Sequence, residues 1–541
     1  MQGLMQSGAI NLIELLIHAA RWHGQQEMVS LRVEGDLHRQ TFAETYQRTA
    51  QLAGALRKLG VERGDRVATM AWNTHRHVEA WFATMGLAAV SHTLNPRLFP
   101  EQLDYIVNHA EDRVIIVDTT FVPLLQALGD KLTTVEAIIV MTDPAHMPDG
   151  LDDRFHCYET LLEGESTEFA WESVSADEAS SLCYTSGTTG NPKGVLYAHQ
   201  SNILHAYAAT SKDAMDVGSG DVVLMVVPMF HANAWGLAFG LPMVGARMVM
   251  PGPHMDGASI ARLLNDEQCT FAAAVPTVWS MLLGHLKETG SAIEHLKEVV
   301  IGGAAVPRSM VQSFDQDYGV KVLHAWGMTE MSPLGTVNRL SGYMPAPQTP
   351  DEEYDHACKQ GRVPFGVDMK IVDDEGQTQP HDGQTFGRLL VRGPWTVERY
   401  YGQEESALED GWFDTGDIAT IDEWGFMQIT DRAKDVIKSG GEWISSADIE
   451  NAAVAHPDVE IAACIGARHP KWDERPLLLL CSVEGRTADA ESVLALLAES
   501  FAKWQLPDAV IEIDTMPLTA TGKIDKKPLR AEYEDYLVNS G

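Results

Sequence analysis

The chain has 541 residues, of which 45% are hydrophobic, so it can bury a large core and is expected to form more than one structural unit. Its 76 acidic and 40 basic residues give a formal net charge of -36, which excludes long-range attraction to nucleic acid or to an anionic membrane surface. The six cysteines include no C-x-x-C pair, which argues against a disulfide framework or a zinc site and favours a reducing, cytoplasmic compartment.

The first two features along the chain are a helical N-terminus and a long apolar segment. Residues 10–17 include six apolar side chains that are expected to form one side of a helix, and they lack the basic leader of a targeting segment. Residues 222–250 carry no acid, but Pro228 and Pro242 interrupt them before they reach the length of a membrane span. We therefore predict a buried core segment there and no transmembrane segment.

Strand-like and helical runs alternate through the next part of the chain. Runs such as RVATMAW, VVLMVVP, LKEVVIGG and VKVLHAW resemble strands, and helical patterns such as ASIARLLNDEQ separate them. This alternation predicts an α/β fold with layered, largely parallel sheets. Shorter strands near Gly366 predict a small β unit that closes the large domain, and the pattern after residue 431 predicts a compact α+β domain. We expect a large N-terminal domain at 1–431 and a small C-terminal domain at 432–541.

Three loops rich in glycine or hydroxyl groups follow strand-like runs. The first is YTSGTTGNPKG, from Tyr184 to Gly194, whose glycines, hydroxyls and Lys193 suit a phosphate chain. It is not a P-loop, because proline rather than glycine precedes the lysine. The other two are GGAAVP, from Gly302 to Pro307, and AWGMTE, from Ala325 to Glu330. Since ligands bind beyond the carboxyl ends of strands in open α/β sheets, the three loops are expected to share one crevice.

The order of the motifs is more specific than any one of them. YTSGTTGNPKG, GGAAVP, AWGMTE, GWFDTGD, DRAKDVIKSGGEWIS and PLTATGKIDK together resemble the motifs of the adenylate-forming acyl-CoA synthetases, and the resemblance covers nearly the whole chain. It implies a two-step ligase. A carboxylate attacks the α-phosphate of ATP to give acyl-AMP and pyrophosphate, and the thiol of CoA then displaces AMP. The implied cofactors are ATP, Mg²⁺ and coenzyme A.

The resemblance also assigns the nucleotide-binding residues. Glu330 is the implied Mg²⁺ ligand, with Thr185 as a second metal-site residue, although a "T-E" pair alone is equally typical of a helix cap. Asp417 is implied at the two ribose hydroxyls, which suit a carboxylate acceptor, and Arg432 is implied at the ribose or at a phosphate, where a guanidinium suits adjacent oxygens. The predicted ATP-binding residues are Thr185, Ser186, Gly187, Thr188, Thr189, Gly190, Lys193, Gly302, Gly303, Ala304, His324, Ala325, Trp326, Gly327, Met328, Asp417 and Arg432. Among them, the residues that resemble the walls of the family's adenine pocket are Gly302, Gly303, Ala304, His324, Ala325 and Trp326.

The C-terminal domain carries the implied catalytic lysine. Lys523, in TATGKIDKK, matches the lysine that reaches the substrate carboxylate and the α-phosphate during adenylation; without the resemblance, a solvated basic patch would be favoured. The resemblance implies that this domain is mobile and rotates about a hinge at Lys434 between the two steps. The rotation would bring KSGGEW over the large domain, where the predicted CoA-channel residues are Lys438, Gly440, Gly441, Glu442 and Trp443.

The segment PMFHANAWG, residues 228–236, matches the family's acyl-pocket segment. His231 and Trp235 are one helical turn apart and would face one cavity if a helix begins there, with the imidazole at the carboxylate and the indole shortening the pocket. This predicts a largely apolar, unbranched acid of short or medium length. Within the family, the segments most resemble those of the ligases of medium-chain fatty acids and of 3-methylmercaptopropionate, and this resemblance implies 3-methylmercaptopropionate as the favoured acid and a medium-chain fatty acid as the alternative. The remaining pocket residues are Gly302, Gly327 and Pro333, and the predicted catalytic residues are Lys523, Glu330, Thr329 and His231.

Other functions are compatible with parts of the sequence. A carrier-protein thiol, or oxygen in a luciferase-like reaction, would replace CoA while adenylation is retained. A nucleotide-binding protein without catalysis is disfavoured because both Lys523 and Glu330 are present. A serine-nucleophile acyltransferase is excluded, since no G-x-S-x-G elbow occurs around these sites. The expected partners are a small carboxylic acid and, in a homodimer, a second copy of the chain.

Overall fold

The computed structural model describes residues 4–6, 8–185, 191–340, 342–439, 442–483, 485–518 and 524–539. Contacts divide the chain into two compact units. The first contains Met1–Asp368 and Arg392–Phe413, and the second contains Met369–Val391 and Asp414–Gly541. The predicted domains at 1–431 and 432–541 and the hinge at Lys434 stay predictions.

Helices and strands alternate along most of the chain. In the parts that the structure describes, the strands in chain order are β1 (Glu27–Leu31), β2 (Leu37–Thr41), β3 (Arg66–Met70), β4 (Val90–Thr93), β5 (Asp112–Val117), β6 (Ala137–Val140), β7 (Phe155–Cys157), β8 (Ala179–Tyr184), β9 (Gly194–Ala198), β10 (Val222–Leu224), β11 (Arg247–Met250), β12 (Phe271–Ala274), β13 (Glu298–Ile301), β14 (Lys321–Gly327), β15 (Leu334–Val337), β16 (Asp368–Val372), β17 (Gly387–Arg392), β18 (Leu408–Glu409), β19 (Trp412–Ile421), β20 (Met427–Arg432), β21 (Ile437–Ser439), β22 (Glu442–Ile444), β23 (Val459–His469), β24 (Asp473–Ser482) and β25 (Ala509–Glu512). The α-helices are α1 (Ile13–Trp22), α2 (Phe42–Lys58), α3 (His75–Gly86), α4 (Pro100–Ala110), α5 (Val122–Leu128), α6 (Tyr158–Leu162), α7 (His199–Thr210), α8 (Leu237–Val244), α9 (Gly257–Asp266), α10 (Pro276–Thr289), α11 (Arg308–Tyr318), α12 (Pro350–Ala357), α13 (Ser446–Val454), α14 (Ala490–Leu497), α15 (Lys526–Tyr533) and α16 (Tyr536–Asn539).

Two large sheets form the framework of the first unit. One has eight strands in the order β15-β14-β13-β12-β10-β11-β1-β2, parallel in its centre, with the antiparallel pairs β14–β15 and β1–β2 at its ends. The other has seven strands in the order β7-β6-β5-β3-β4-β8-β9, parallel from β7 to β8 and closed by the antiparallel pair β8–β9. The predicted α/β class with layered, largely parallel sheets is therefore confirmed.

The centre of the eight-stranded sheet is buried on both faces, as expected when helices cover a parallel sheet. Ala273 and Val300 pack into one apolar core, whereas their neighbours Ala272 and Val299 pack into the core on the opposite face. Side chains alternate across a strand, so both sets must be apolar. This double burial explains why the strands are visible in the sequence as continuous apolar runs.

The N-terminal helix and the apolar segment are both found, with one correction. Helix α1 begins at Ile13, and Leu12, Ile13 and Leu16 are fully buried. The inclusion of Ile10 in its apolar side was wrong, because Ile10 precedes the helix and half of its surface is exposed. Most of residues 222–250 lie in the core of the first unit, as predicted. Within the described ranges, no helix is long and apolar enough to cross a membrane.

The second unit combines a small β part with an α+β part. Both parts were predicted, but the β part was expected to close the large domain, whereas contacts group it with the C-terminal part. Strand β17 lies between β16 and β19, and β20 pairs with β19. Strands β23 and β24 form a long antiparallel hairpin, and β25 runs parallel to β24. Along β24, Leu478 and Leu480 pack into one apolar core while Leu477 and Leu479 pack into another, so this sheet is also covered on both faces.

Candidate active site

The two ends of the predicted phosphate loop are held together as a hairpin stem. Tyr184, at the end of β8, and Gly194, at the start of β9, are antiparallel partners. The Thr185 N–H donates to the Lys193 carbonyl at 2.9 Å, and the Lys193 N–H donates to the Thr185 hydroxyl at 3.4 Å. The stem fixes where the loop leaves and rejoins the sheet. The predicted loop residues Ser186, Gly187, Thr188, Thr189 and Gly190 lie outside the described residues.

Glu330 lies in a tightly bound turn beyond the carboxyl end of β14. A single 3-10 turn spans Thr329–Met331. The Met328 N–H donates to the Pro333 carbonyl at 3.0 Å, and a Cβ on Gly327 would lie only 2.1 Å from that same oxygen. Because two backbone segments approach so closely, glycine is required at this position. The turn therefore presents Glu330 from a constrained backbone.

A segment that the sequence analysis did not identify contacts both loops. This segment, Trp395–Tyr401, is called the strap. Trp395 donates its indole N–H to the Leu334 carbonyl at 3.0 Å, and Val397 donates its backbone N–H to the Glu330 carbonyl at 2.7 Å. The last residue of the strap donates a backbone N–H to the Gly194 carbonyl at 2.8 Å. The strap thus connects the Glu330 turn to the stem of the phosphate loop.

Tyr400 of the strap contacts two of the predicted site residues directly. Its phenol donates to Glu330 Oε1 at 2.9 Å, and the Lys193 Nζ lies 4.7 Å from the centre of its ring. Burial, together with the charge of Glu330, raises the pKa of Tyr400 above its usual range, so the phenol stays neutral and donates. The available sequence signal was the cluster of aromatic residues in WTVERYY, directly after the predicted strand GRLLVRGP.

Strand register brings two of the predicted adenine-pocket segments together. Ile301 pairs with His324, so Gly302 follows beside Ala325, and a Cβ on Gly302 would lie 2.9 Å from the Ala325 carbonyl oxygen. His324 is buried, and desolvation lowers its pKa to about 4. Its neutral ring has Nδ1 at 2.8 Å from the Cys358 carbonyl, which fixes the proton on that nitrogen.

The remaining adenine-pocket residues differ in exposure. Gly303 has a φ of +80°, a left-handed conformation that favours glycine, and Ala304 is exposed. Only 9% of the surface of Trp326 is exposed, and its ring covers Gly335, where a Cβ would lie 2.3 Å from Cζ3. The contact of Trp326 with adenine stays a prediction.

The acyl-pocket segment is not the right-handed helix that the spacing of His231 and Trp235 suggested. Ala232–Gly236 forms a single turn in which Asn233, Ala234 and Trp235 have φ between 52° and 56°. His231 lies before this turn in an extended conformation, and a 3-10 turn has about three residues per turn, so His231 and Trp235 do not share a helical face. The turn places the Trp235 indole against Gly302, whose Cβ would lie 3.1 Å from Cη2. Helical spacing was therefore the wrong argument for this pocket.

His231 lies beside residues of the other two loops. It lines a cavity of about 40 Å³ together with Tyr184, Thr329, Thr93 and Asn95. The structure thus brings residues of the phosphate-loop stem, the Glu330 turn and the acyl segment to one place in the first unit, as expected for loops that follow neighbouring strands.

In the second unit, the two predicted ribose residues are partners. Asp417 on β19 and Arg432 on β20 are opposite each other, and Arg432 Nη1 lies 2.9 Å from Asp417 Oδ1. Asp417 is 2% exposed, so the arginine supplies a charge partner for a carboxylate withdrawn from water.

The predicted CoA-channel residues also belong to the second unit. The ammonium of Lys438 forms an ion pair with Asp374, with Nζ 3.2 Å from Oδ2. Strands β21 and β22 are antiparallel, and their register pairs Lys438 with Trp443 and Ser439 with Glu442. Gly440, Gly441 and the predicted catalytic Lys523 lie outside the described residues.

Comparison with known proteins agrees with this architecture. Residues 17–401 match the model of the AMP-binding enzyme family, and residues 448–523 match that of the AMP-binding enzyme C-terminal domain. A 3-methylmercaptopropionyl-CoA ligase of Ruegeria lacuscaerulensis is 48% identical, covering 99% of this chain and 100% of the relative. A medium-chain-fatty-acid–CoA ligase of Ectopseudomonas oleovorans is 46% identical, covering 100% and 99%. The crystal structure of ATP-bound MatB from Rhodopseudomonas palustris has a TM-score of 0.80 at 26% identity, covering 98% and 100%.

The chain belongs to the AMP-binding enzyme family and is an AMP-forming acid–thiol ligase of that family, which uses ATP and CoA. Both family models match in the expected order, and the relatives are similar along their whole length. The activity predicted from the ordered motifs is confirmed.

Proposed function

We propose that the acid activated by this ligase is 3-methylmercaptopropionate or a similar short, unbranched acid. The structural observation that carries the proposal is the Trp235 indole, which packs against Gly302 and lies 3.9 Å from the Cβ position of Gly303. The large apolar ring lies beside Gly302, a predicted acyl-pocket residue, and a ring at this position would leave less room for a long chain. A thioether suits an aromatic wall because sulfur makes favourable contacts with ring edges. The 48% identical relative named as a ligase of this acid supports the same choice.

A medium-chain fatty acid is the second candidate. The relative from Ectopseudomonas oleovorans is nearly as similar, at 46% identity over the whole chain. Both acids need an apolar pocket, and they differ mainly in chain length and in the sulfur atom. The Trp235 ring beside Gly302 favours the shorter one.

The residues around the phosphate stem fit a Mg²⁺ ion bound with ATP. Mg²⁺ is usually held by one or two carboxylates together with substrate phosphates, and Glu330 supplies one carboxylate whose position is fixed by a neutral phenol. The Thr185 hydroxyl is the second predicted oxygen at this site. When bound, the ion would offset negative charge on the phosphates, which otherwise repels the incoming carboxylate.

We propose the following division of work among the chain's own residues. Lys193 and the backbone of the phosphate loop bind the phosphates, and Asp417 accepts hydrogen bonds from the ribose hydroxyls. Lys523 contacts the acid and the α-phosphate while the new O–P bond forms and pyrophosphate leaves. Lys438 and its neighbours then line the path of the CoA thiol, whose sulfur forms the thioester bond as AMP leaves.

Product analysis with MgATP and matched acids tests the function. Pentanoate replaces the sulfur of 3-methylmercaptopropionate by a methylene group, and octanoate extends the chain, so the three acids separate sulfur from length. We expect AMP, pyrophosphate and an acyl-CoA that forms only with free CoA, and the highest kcat/KM for the two short acids. A higher kcat/KM for octanoate would favour the fatty-acid alternative. Adenylation without thioester formation from free CoA would point to a carrier-protein thiol.

The location in the cell and the oligomeric state are further parts of the proposal. A cytoplasmic location and a homodimer stay predictions. Light scattering would test the second, because a dimer has twice the 59.4 kDa mass of the chain.

A further inference from the structure

We propose that Tyr400 is a positioning residue that holds the Glu330 carboxylate and the Lys193 ammonium in separate places, ready for MgATP. The inference rests on the proposed role of Glu330 at the metal site. It adds a residue outside all the motifs that identified the ligase, and it gives the strap a role in nucleotide binding.

The first part of the argument is the hydrogen bond to Glu330. The phenol donates to one carboxylate oxygen, Oε1, at 2.9 Å, while the strap's Val397 N–H holds the backbone carbonyl of the same residue at 2.7 Å. Glu330 is therefore fixed at its backbone and at its side chain by one segment. A carboxylate oriented by an outer hydrogen bond needs less reordering when it meets a cation, and such outer partners typically affect metal affinity by about tenfold or more.

The second part is the contact with Lys193. Its ammonium lies 4.7 Å from the centre of the Tyr400 ring, within the range of a cation–π interaction. Opposite charges that share a site attract each other, and a direct pair would leave neither group free to meet the nucleotide. Tyr400 offers the ammonium its ring face and the carboxylate its hydroxyl. One side chain thus gives each charge its own partner.

The third part is that Tyr400 is held rigidly enough to position other groups. The strap is bound at its first, third and last residues to Leu334, Glu330 and Gly194. Directly after Tyr400, Tyr401 packs edge-on against His109, with ring centres 5.7 Å apart. The ring of Tyr401 thus has other partners than the ring of Tyr400. Tyr401→Phe removes a neighbouring hydroxyl and is therefore a matched control for Tyr400→Phe.

ATP binding measured by calorimetry without any acid tests the proposal, because no turnover is needed. Each protein is titrated with ATP once with Mg²⁺ and once with EDTA, and the ratio of the two Kd values gives the Mg²⁺-dependent gain in affinity. Tyr400→Phe keeps the ring, so we expect it to bind ATP in EDTA like the wild type. Its Mg²⁺-dependent gain in ATP affinity should be about tenfold smaller than that of the wild type. Tyr400→Leu should also weaken binding in EDTA, because Lys193 loses the ring.

Two further variants identify which idea fails if the result differs. Tyr401→Phe should match the wild type in both titrations, and an equal loss in Tyr401→Phe and Tyr400→Phe would overturn the proposal. If Glu330→Gln leaves the Mg²⁺-dependent gain unchanged, the metal role of Glu330 is wrong and the inference falls with it. If Glu330→Gln reduces the gain but Tyr400→Phe does not, only the inference is wrong. In a variant that combines Glu330→Gln with Tyr400→Phe, the Mg²⁺-dependent gain should equal that of Glu330→Gln alone, since the phenol acts through Glu330.

Discussion

His205 shows how one buried side chain can link several parts of a binding site. Its Nε2 accepts a hydrogen bond from the Leu334 N–H at 3.0 Å, directly after the Glu330 turn, and its ring packs edge-on against Trp395 of the strap. Gly236 lies so close that a Cβ there would be 2.5 Å from the ring. An acceptor nitrogen must be unprotonated, so the contact requires neutral histidine.

The pKa of His205 gives a prediction about stability and pH. Desolvation lowers the pKa of His205 from 6.5 to about 3 in the folded protein, so below pH 6.5 the unfolded chain binds a proton that the folded chain does not. Stability contributed by neutral His205 is therefore lost as the pH falls from 6.5 toward 3. Glutamine retains an acceptor and does not titrate, so the cost of His205→Gln should be about 2 kcal/mol smaller at pH 5 than at pH 7.5.

Urea unfolding of both proteins at the two pH values measures this difference. The exposed His295 is the matched control, and His295→Gln should have the same small effect at both pH values. A cost of His205→Gln that does not change with pH would mean that the pKa of His205 is the same in the folded and unfolded states.

At the scale of secondary-structure elements, the sequence predicted the large sheets better than the acyl segment. Strands such as β13 are buried on both faces, and their apolar runs are visible without any tertiary information. The turn at Ala232–Gly236 has no such signal, since it places four consecutive non-glycine residues at positive φ against their local preference. The strap was also missed, because hydrogen bonds between distant segments leave no periodic pattern.

This left-handed turn predicts an unusual effect of glycine. Ala234 is fully buried and has a φ of 52°, where a Cβ costs about 1 kcal/mol. Relief of this strain offsets the lost burial of the methyl group, so Ala234→Gly should lower the free energy of unfolding by about 1 kcal/mol less than the same change at a buried alanine of a right-handed helix. The matched control is Ala238→Gly, in the right-handed helix α8, which should be destabilised by about 1 kcal/mol or more. Denaturant unfolding of both variants would measure the effects. Equal destabilisation in the two variants would contradict the left-handed assignment.

For the whole molecule, the sequence predicted a ligase with a mobile C-terminal part, and the family and activity are confirmed. Asp417, Arg432 and Lys434 all belong to the second unit. Motion cannot be read from an apolar pattern, because a hinge needs backbone freedom rather than burial. The rotation about Lys434 therefore rests on the resemblance and needs its own test.

Lys434→Pro would test that rotation. Proline fixes φ at Lys434 and restricts the preceding residue. The neighbouring turn is closed by the N–H groups of Asp435 and Val436, both donating to Arg432, and these donors remain. If the hinge residue must change its backbone angles between the two steps, one half-reaction should fall by at least tenfold while the other is retained. Adenylation would be measured as acid-dependent release of pyrophosphate. The second step would be measured as thioester formation from supplied acyl-AMP and CoA. Lys434→Ala, which keeps the backbone free, should retain both, and equal loss of both steps in Lys434→Pro would show that the substitution disturbs folding rather than rotation.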